Sequence, residues 1–126
     1  MRLLDTDILI DIQRGHDPAV GWFASLDELP SVPGFVAMEL YQGAPDARRA
    51  QEVEDLLAPL AIVWPSAMDC QRALTDFRAL HLSHGLGLLD ALIAATAIGQ
   101  GAALVTFNTR HFSPVSGLTT EQPYPK

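Results

Sequence analysis

Three aspartates interrupt an apolar run near the N-terminus, in the segment LLDTDILID that spans residues 3–11. They are Asp5, Asp7 and Asp11, and their neighbours are Leu, Ile and Thr. Burying an unpaired carboxylate costs several kcal/mol, so acids in such a segment are expected to be paired, protonated or bound to a metal. This segment is therefore the first candidate for acid–base or metal chemistry.

Two further acids stand in apolar surroundings. Asp90 is the only charged residue between Gly85 and Thr109, and Glu39 lies in the segment VAMELYQGA. Both have ordinary explanations, because the helix dipole favours a carboxylate at a helix start and a lone Glu in a helix is usually solvated. The apolar surroundings favour a functional role for Asp90, whereas Glu39 alone is a weak indication.

If Asp5, Glu39 and Asp90 meet in one crevice, their charges require a cation. Two carboxylates about 4 Å apart repel each other by about 4 kcal/mol at an effective dielectric constant near 20. Oxygen ligands without a His or Cys cluster suit Mg²⁺ or Mn²⁺, whose chemistry includes phosphodiester hydrolysis. Asn108 follows a predicted strand, where it either shapes a turn or bonds a carboxylate or a metal-bound water.

The hydrophobic pattern predicts the elements that position these residues. Strands are predicted in the segments RLL, PSVPGF, AIVW and AALVTF, with an edge strand in GLTTEQPY. Helices are predicted in TDILIDIQRG, VAMELYQG, DARRAQEVEDLL, LLDALIAATAIG and DPAVGWFASLDEL, the last with Asp17 as its N-cap. Another helix is expected after a Ser66–Asp69 capping box, with its core face formed by Ala67, Cys70, Ala73, Leu74, Phe77 and Leu80.

This alternation of strands and helices predicts a three-layer α/β/α sandwich around a mainly parallel sheet. Ligands bind such sheets at the carboxyl ends of the strands. Asp5 ends the first predicted strand and therefore points to the crevice, whereas Asp7 is expected to support the structure and Asp11 to face solvent.

Composition limits the classes of function. The 126 residues are 48% hydrophobic, which predicts one folded domain over residues 1–126. The net charge of −7 argues against a broad basic nucleic-acid face, although bound cations can reverse the sign of a small acidic site. The single cysteine, Cys70, is expected in the core and fits a reducing cytoplasm. Residues 86–105 are apolar, but Gly99 and Gly101 interrupt them, so no membrane span is expected.

Four segments together resemble the PIN-domain ribonucleases, and most closely the VapC toxins of bacterial toxin–antitoxin pairs. They are LLDTDILID, ELYQGA, LLDALIAATA and LVTFNTRHF, in this order and spacing, and the resemblance extends to the final SGLTTEQPY. It implies a Mg²⁺- or Mn²⁺-dependent endoribonuclease whose metal ligands are Asp5, Glu39 and Asp90. It also implies a hydroxyl at Thr106 that supports the site.

Other implications concern variable positions and partners. A fourth acid often stands where this chain has Asn108, so a second metal would be held more weakly. His111 falls where relatives carry Asp or His, and its role stays open. The resemblance implies an RNA substrate, a homodimer, and a small VapB-like antitoxin whose tail enters the site. Trp22 and Phe23 are either core residues or part of a groove for a partner helix.

Two alternatives come from other classes. The DTD motif also resembles phosphatases of the haloacid-dehalogenase type, and receiver domains gather acids beside Mg²⁺, but both need a lysine in the site. The only lysine is Lys126, the last residue. A degenerate PIN domain that only binds RNA or a protein partner remains the alternative, because Asn108 replaces an acid.

Overall fold

Five short strands form the central sheet of the computed structural model, which describes residues 1–126. The strands are β1 (Arg2–Leu4), β2 (Ser31–Pro33), β3 (Ala61–Val63), β4 (Ala103–Val105) and β5 (Thr120–Glu121). Their spatial order is β3-β2-β1-β4-β5, and every neighbouring pair is parallel. Since parallel strands align their carboxyl ends, the residues after β1, β2 and β4 meet at one edge of the sheet.

Seven helices connect and flank the strands. They are α1 (Thr6–Gln13), α2 (Asp17–Ala24), α3 (Gly34–Gln42), α4 (Ala47–Leu57), α5 (Ala67–His84), α6 (Leu88–Gln100) and α7 (Thr109–Phe112). The predicted three-layer α/β/α sandwich is confirmed. None of the helices combines the length and hydrophobicity that crossing a bilayer requires.

Local sequence determines several helix ends. Ser66 Oγ accepts a hydrogen bond from Asp69 N at 3.0 Å, and Asp69 Oδ2 accepts one from Ser66 N at 2.9 Å, so the predicted capping box is confirmed. The start predicted for α2 is wrong by one position. His16 is the N-cap and Asp17 is already helical, where its charge still compensates the helix dipole.

The core lies on both sides of the sheet and includes much of α6. Leu3, Leu4, Leu104 and Val105 are fully buried in the two central strands. Six of the thirteen residues of α6 are buried, which confirms its predicted central position. Because α6 is apolar on nearly every side, it can pack against the sheet and against α5 at once.

The core face predicted for α5 is only partly confirmed, since Phe77 and Leu80 do pack against the core. Ala73 is its only buried residue, Cys70 is exposed, and Leu74 is 62% exposed. The reason is that α5 packs extensively against α6 alone, so its apolar stripe is covered only in part. Together with Leu88 and Leu92 of α6, these residues line an apolar groove, called the α5–α6 groove below.

The segment after β5 folds back onto α1. Tyr124 Oη donates a hydrogen bond to Asp11 Oδ2 at 2.8 Å, and Lys126 Nζ donates one to the same oxygen at 3.0 Å. Asp11 was predicted to face solvent, and this prediction is wrong, because its side chain is only 13% exposed. Partial burial alone would raise the pKa of Asp11, but these two hydrogen bonds outweigh that effect and lower it. Trp22 and Phe23 are half-buried and pack against the core, as core residues do.

Candidate active site

Asp5 occupies the junction between the central strand β1 and helix α1. Its side chain caps α1, because Oδ1 accepts a hydrogen bond from Thr6 N at 2.8 Å. Its other oxygen, Oδ2, accepts one from Thr106 Oγ at 2.8 Å. Thr106 is fully buried and directly follows β4, which lies beside β1 in the sheet. The two neighbouring strand ends therefore place a carboxylate and a hydroxyl in contact, as the strand-end rule predicts.

The buried position of Asp5 makes its carboxylate easy to protonate. Asp5 is 7% exposed, and this burial raises the pKa of its carboxyl group to about 6, with the charge of Asp7 as the second cause. Hydrogen bonds from Thr106 and Thr6 oppose the shift, and the charge of Glu39 adds to it. Asp5 is thus a buried acid whose charge has no cationic partner within the protein.

Glu39 approaches the same place from helix α3, which begins directly after β2. Its Oε1 accepts a hydrogen bond from Thr6 Oγ at 3.2 Å. Partial burial raises the pKa of Glu39; the hydrogen bond from Thr6 lowers it, and the charge of Asp90 raises it further. Glu39 therefore interacts electrostatically with both Asp5 and Asp90, which links all three acids predicted from the sequence.

Asp90 lies in the first turn of α6 and has two hydrogen-bonding partners. Its Oδ2 accepts a hydrogen bond from Gly87 N at 3.1 Å, and His111 Nε2 lies 2.8 Å from the same oxygen. A Cβ at position 87 would lie 2.8 Å from Asp90 Oδ2, so a larger residue there would displace the Asp90 carboxylate. The sequence left the role of His111 open, and the structure assigns it a contact with Asp90.

Asp7 holds the chain that follows β4. Its two oxygens accept hydrogen bonds from Ile8 N and Phe107 N, both at 2.9 Å. Burial raises the pKa of Asp7, although the two hydrogen bonds oppose this effect. The contact with Phe107 fixes the backbone between Thr106 and Asn108, in agreement with the expected structural role of Asp7.

Asn108 belongs to this same loop, but its side chain is uncommitted. Its backbone N–H donates to Thr106 Oγ at 3.0 Å, and its exposed amide group makes no hydrogen bond within the protein. Thr106 Oγ thus accepts from Asn108 while it donates to Asp5. The amide of Asn108 remains available to a ligand.

The oxygen donors of Asp5, Glu39 and Asp90 suit a hard cation, although each carboxylate accepts hydrogen bonds from other groups of the protein. No three Asp, Glu, His or Cys side chains converge on one point in the way that metal ligands do. The carboxylates instead accept hydrogen bonds from Thr6, Thr106, Gly87 and His111. Their chemistry nevertheless fits Mg²⁺ or Mn²⁺, since Asp5, Glu39 and Asp90 provide only oxygen donors and the positive charge would relieve their mutual repulsion.

Comparison with known proteins agrees with this fold. The PIN domain family model matches residues 2–118. Ribonuclease VapC10 from Mycobacterium tuberculosis is 36% identical over 115 residues, which cover 89% of this chain and 86% of the relative. A toxin–antitoxin complex from Klebsiella pneumoniae contains a chain 28% identical, with a TM-score of 0.79 and full coverage of both chains. VapBC2 from Rickettsia felis, bound to a promoter DNA fragment, gives 25% identity and a TM-score of 0.82 over 95% of this chain and 96% of the other.

These matches and the parallel α/β/α fold define the class: a PIN-like protein with an acidic centre at the carboxyl ends of its strands. The chain belongs to the PIN domain family. The resemblance predicted from the four sequence segments is confirmed, and so is the similarity to VapC proteins.

Proposed function

We propose that residues 1–126 form a single PIN domain that hydrolyses RNA internally, with Mg²⁺ or Mn²⁺ as its cofactor, and acts as a toxin. The observation that carries this proposal is the buried carboxylate of Asp5. It repels Glu39, and Glu39 repels Asp90. No Lys or Arg side chain makes an ion pair with any of the three. The similarity to a protein named ribonuclease, over 89% of this chain, supports the choice of RNA as substrate.

Each residue of the site has a separate task in this proposal. Asp5, Glu39 and Asp90 would hold the divalent cation, which when bound supplies the Lewis acidity for water activation and phosphate binding. Thr106 holds Asp5 in place through its hydroxyl group. His111 shares a hydrogen bond with Asp90 Oδ2, where it can hold a proton. The products are expected to carry 5′-phosphate and 3′-hydroxyl ends, as the resemblance implies.

A partner is the second part of the proposal. One similar chain was solved in a toxin–antitoxin complex, which supports a small VapB-like antitoxin for this chain too. The net charge of −7 favours a basic partner segment, and an acidic centre can receive an Arg side chain in place of a cation. The exposed α5–α6 groove supports a homodimer, and a single free cysteine fits a cytoplasmic location.

Cleavage of a mixed RNA pool tests the function directly. The purified protein is expected to cut RNA in Mg²⁺ or Mn²⁺. Cleavage should stop when EDTA removes the metal and when the proposed antitoxin, sought as the product of the neighbouring gene, is added. Mapping of the new 5′ ends identifies the target RNA. Retention of RNA without cleavage in either metal would instead support the non-catalytic PIN domain, which Asn108 motivates.

The number of metal ions depends on Asn108. A neutral amide compensates the desolvation of a divalent ion less well than a carboxylate does, so we expect one well-occupied Mn²⁺ site per chain. Asn108→Asp is expected to add or tighten a second site in titration calorimetry. Because the Asn108 side chain is exposed and makes no hydrogen bond within the protein, the substitution should leave the fold unchanged. Two equally tight sites in the unmodified chain would contradict this expectation.

A further inference from the structure

Most cationic side chains of this acidic protein are already paired. Of the eight Lys and Arg residues, five make ion pairs within 4 Å: Arg2, Arg48, Arg49, Arg72 and Lys126. The other three, Arg14, Arg78 and Arg110, make no ion pair and no side-chain hydrogen bond. An RNA nuclease with a net charge of −7 must hold the substrate backbone with few cations, so the position of the free ones is informative.

Arg14 lines a crevice that also contains part of the acidic centre. This crevice, called the arginine crevice below, has a volume of about 290 Å³ and lies between α1, α3 and α4. Its polar lining consists of Thr6 and Glu39 from the site together with Gln13, Arg14, Arg49 and Glu52. Helix α1 joins the two regions, because it begins next to Asp5 and ends at Arg14. At 1.5 Å per residue its eight residues span about 12 Å.

Arg49 supplies a second cation to the crevice at little cost. Its guanidinium lies 3.7 Å from Glu52, and the two side chains are 60% and 40% exposed. An exposed pair at this distance contributes little to stability, so Arg49 can exchange Glu52 for another anion. Glu52 also lies 3.7 Å from Arg48, which leaves it a cationic neighbour when Arg49 moves.

We propose that Arg14 and Arg49 bind a phosphate of the RNA backbone beside the scissile one. This inference rests on the proposed function and adds the path of the substrate to it. Because the crevice is lined by Glu39 of the acidic centre and by Arg14 and Arg49, it matches a strand whose scissile phosphate needs a metal and whose flanking phosphate needs direct cationic contacts. Arg110 does not line this crevice, and Arg78 lines a separate one on α5 with Leu74 and Thr75.

The test measures binding of a labelled single-stranded RNA at several salt concentrations. Every protein in the test carries Asp90→Asn, so that the RNA stays intact. This background is compared with a variant that also carries Arg14→Gln and Arg49→Gln. Loss of the one neutralised phosphate is expected to reduce the slope of log K against log salt by about 0.7 and to weaken binding about fivefold near 0.1 M salt. Arg14→Lys with Arg49→Lys keeps both charges and should retain most of the slope.

Arg78→Gln is the matched control, because it removes one equally unpaired arginine from another surface. Arg78→Gln is expected to leave the salt slope unchanged. If binding depended only on net charge, Arg78→Gln would instead change the slope as much as a single substitution in the crevice does. If the protein with Arg14→Gln and Arg49→Gln has the same salt slope as the Arg78→Gln protein, the inference is wrong. That result would not contradict the proposed nuclease activity. If the unmodified chain neither cuts nor binds RNA, the proposed function fails as well.

Discussion

Asp5→Asn and Asp90→Asn are each expected to reduce RNA cleavage in Mg²⁺ by about a thousandfold or more. Metal-assisted stabilisation of charge in the transition state is worth several kcal/mol, and every 1.36 kcal/mol corresponds to a factor of ten in rate. Replacing either carboxylate by a neutral amide removes one of the charged oxygen donors that are proposed to hold the metal. The measurement is the initial rate of cleavage with metal in excess.

The amide substitutions preserve most local hydrogen bonds. An Asn at position 90 can still accept from Gly87 N, and an Asn at position 5 can still cap α1 through Thr6 N. Asp69→Asn is the matched control, because Asp69 sits in the first turn of α5 as Asp90 does in α6. It lies outside the acidic centre and should leave the rate unchanged. Near wild-type cleavage by either active-site variant would refute the assignment.

Asp5→Asn is also expected to stabilise the metal-free protein at neutral pH by about 1–3 kcal/mol. The folded state raises the pKa of Asp5 from 3.8 to about 6 through burial, and one pKa unit corresponds to 1.36 kcal/mol. A raised pKa means that the folded state binds more protons than the unfolded state between these values. The contribution of Asp5 to stability is therefore present below about pH 4 and is lost as pH rises to about 6.

Urea unfolding in EDTA at several pH values measures this effect. The gain from Asp5→Asn should be largest near pH 7 and should disappear near pH 4, where the native carboxyl group is protonated. Addition of Mn²⁺ should stabilise the unmodified protein at pH 7 and leave Asp5→Asn unchanged. A variant that is less stable than the unmodified chain at pH 7 would show that the hydrogen bonds of Asp5 outweigh its burial.

Sequence reasoning located the strands, the helices and the acids, because each of these follows from local patterns. An acid at the end of an apolar strand and an isolated acid in an apolar helix are visible without a structure, as Asp5 and Asp90 show. The pairing of His111 with Asp90 was not predictable, since it joins residues 21 positions apart through packing of α7 near α6.

Two of the errors, at α5 and at Asp11, have one physical origin. Periodicity shows which residues share a helix face, but it does not show what covers that face. Cys70 and Leu74 lie on an apolar stripe that no other element of the chain covers completely. Asp11 lies on a face that looked solvent-exposed, and Tyr124 from the far end of the sequence covers it. Tertiary contacts between distant segments decide both cases.

The hydrogen bond between Asp5 and Thr106 joins residues 101 positions apart. During synthesis, Asp5 is therefore made well before Thr106. A ribosome adds about 5–20 residues per second. About 5–20 s therefore pass between the synthesis of Asp5 and that of Thr106. During this interval the first acid exists without the hydroxyl group that holds it and, for most of the time, without Asp90. We therefore expect a nascent chain to lack RNA-cleaving activity until β4 has left the ribosome and paired with β1.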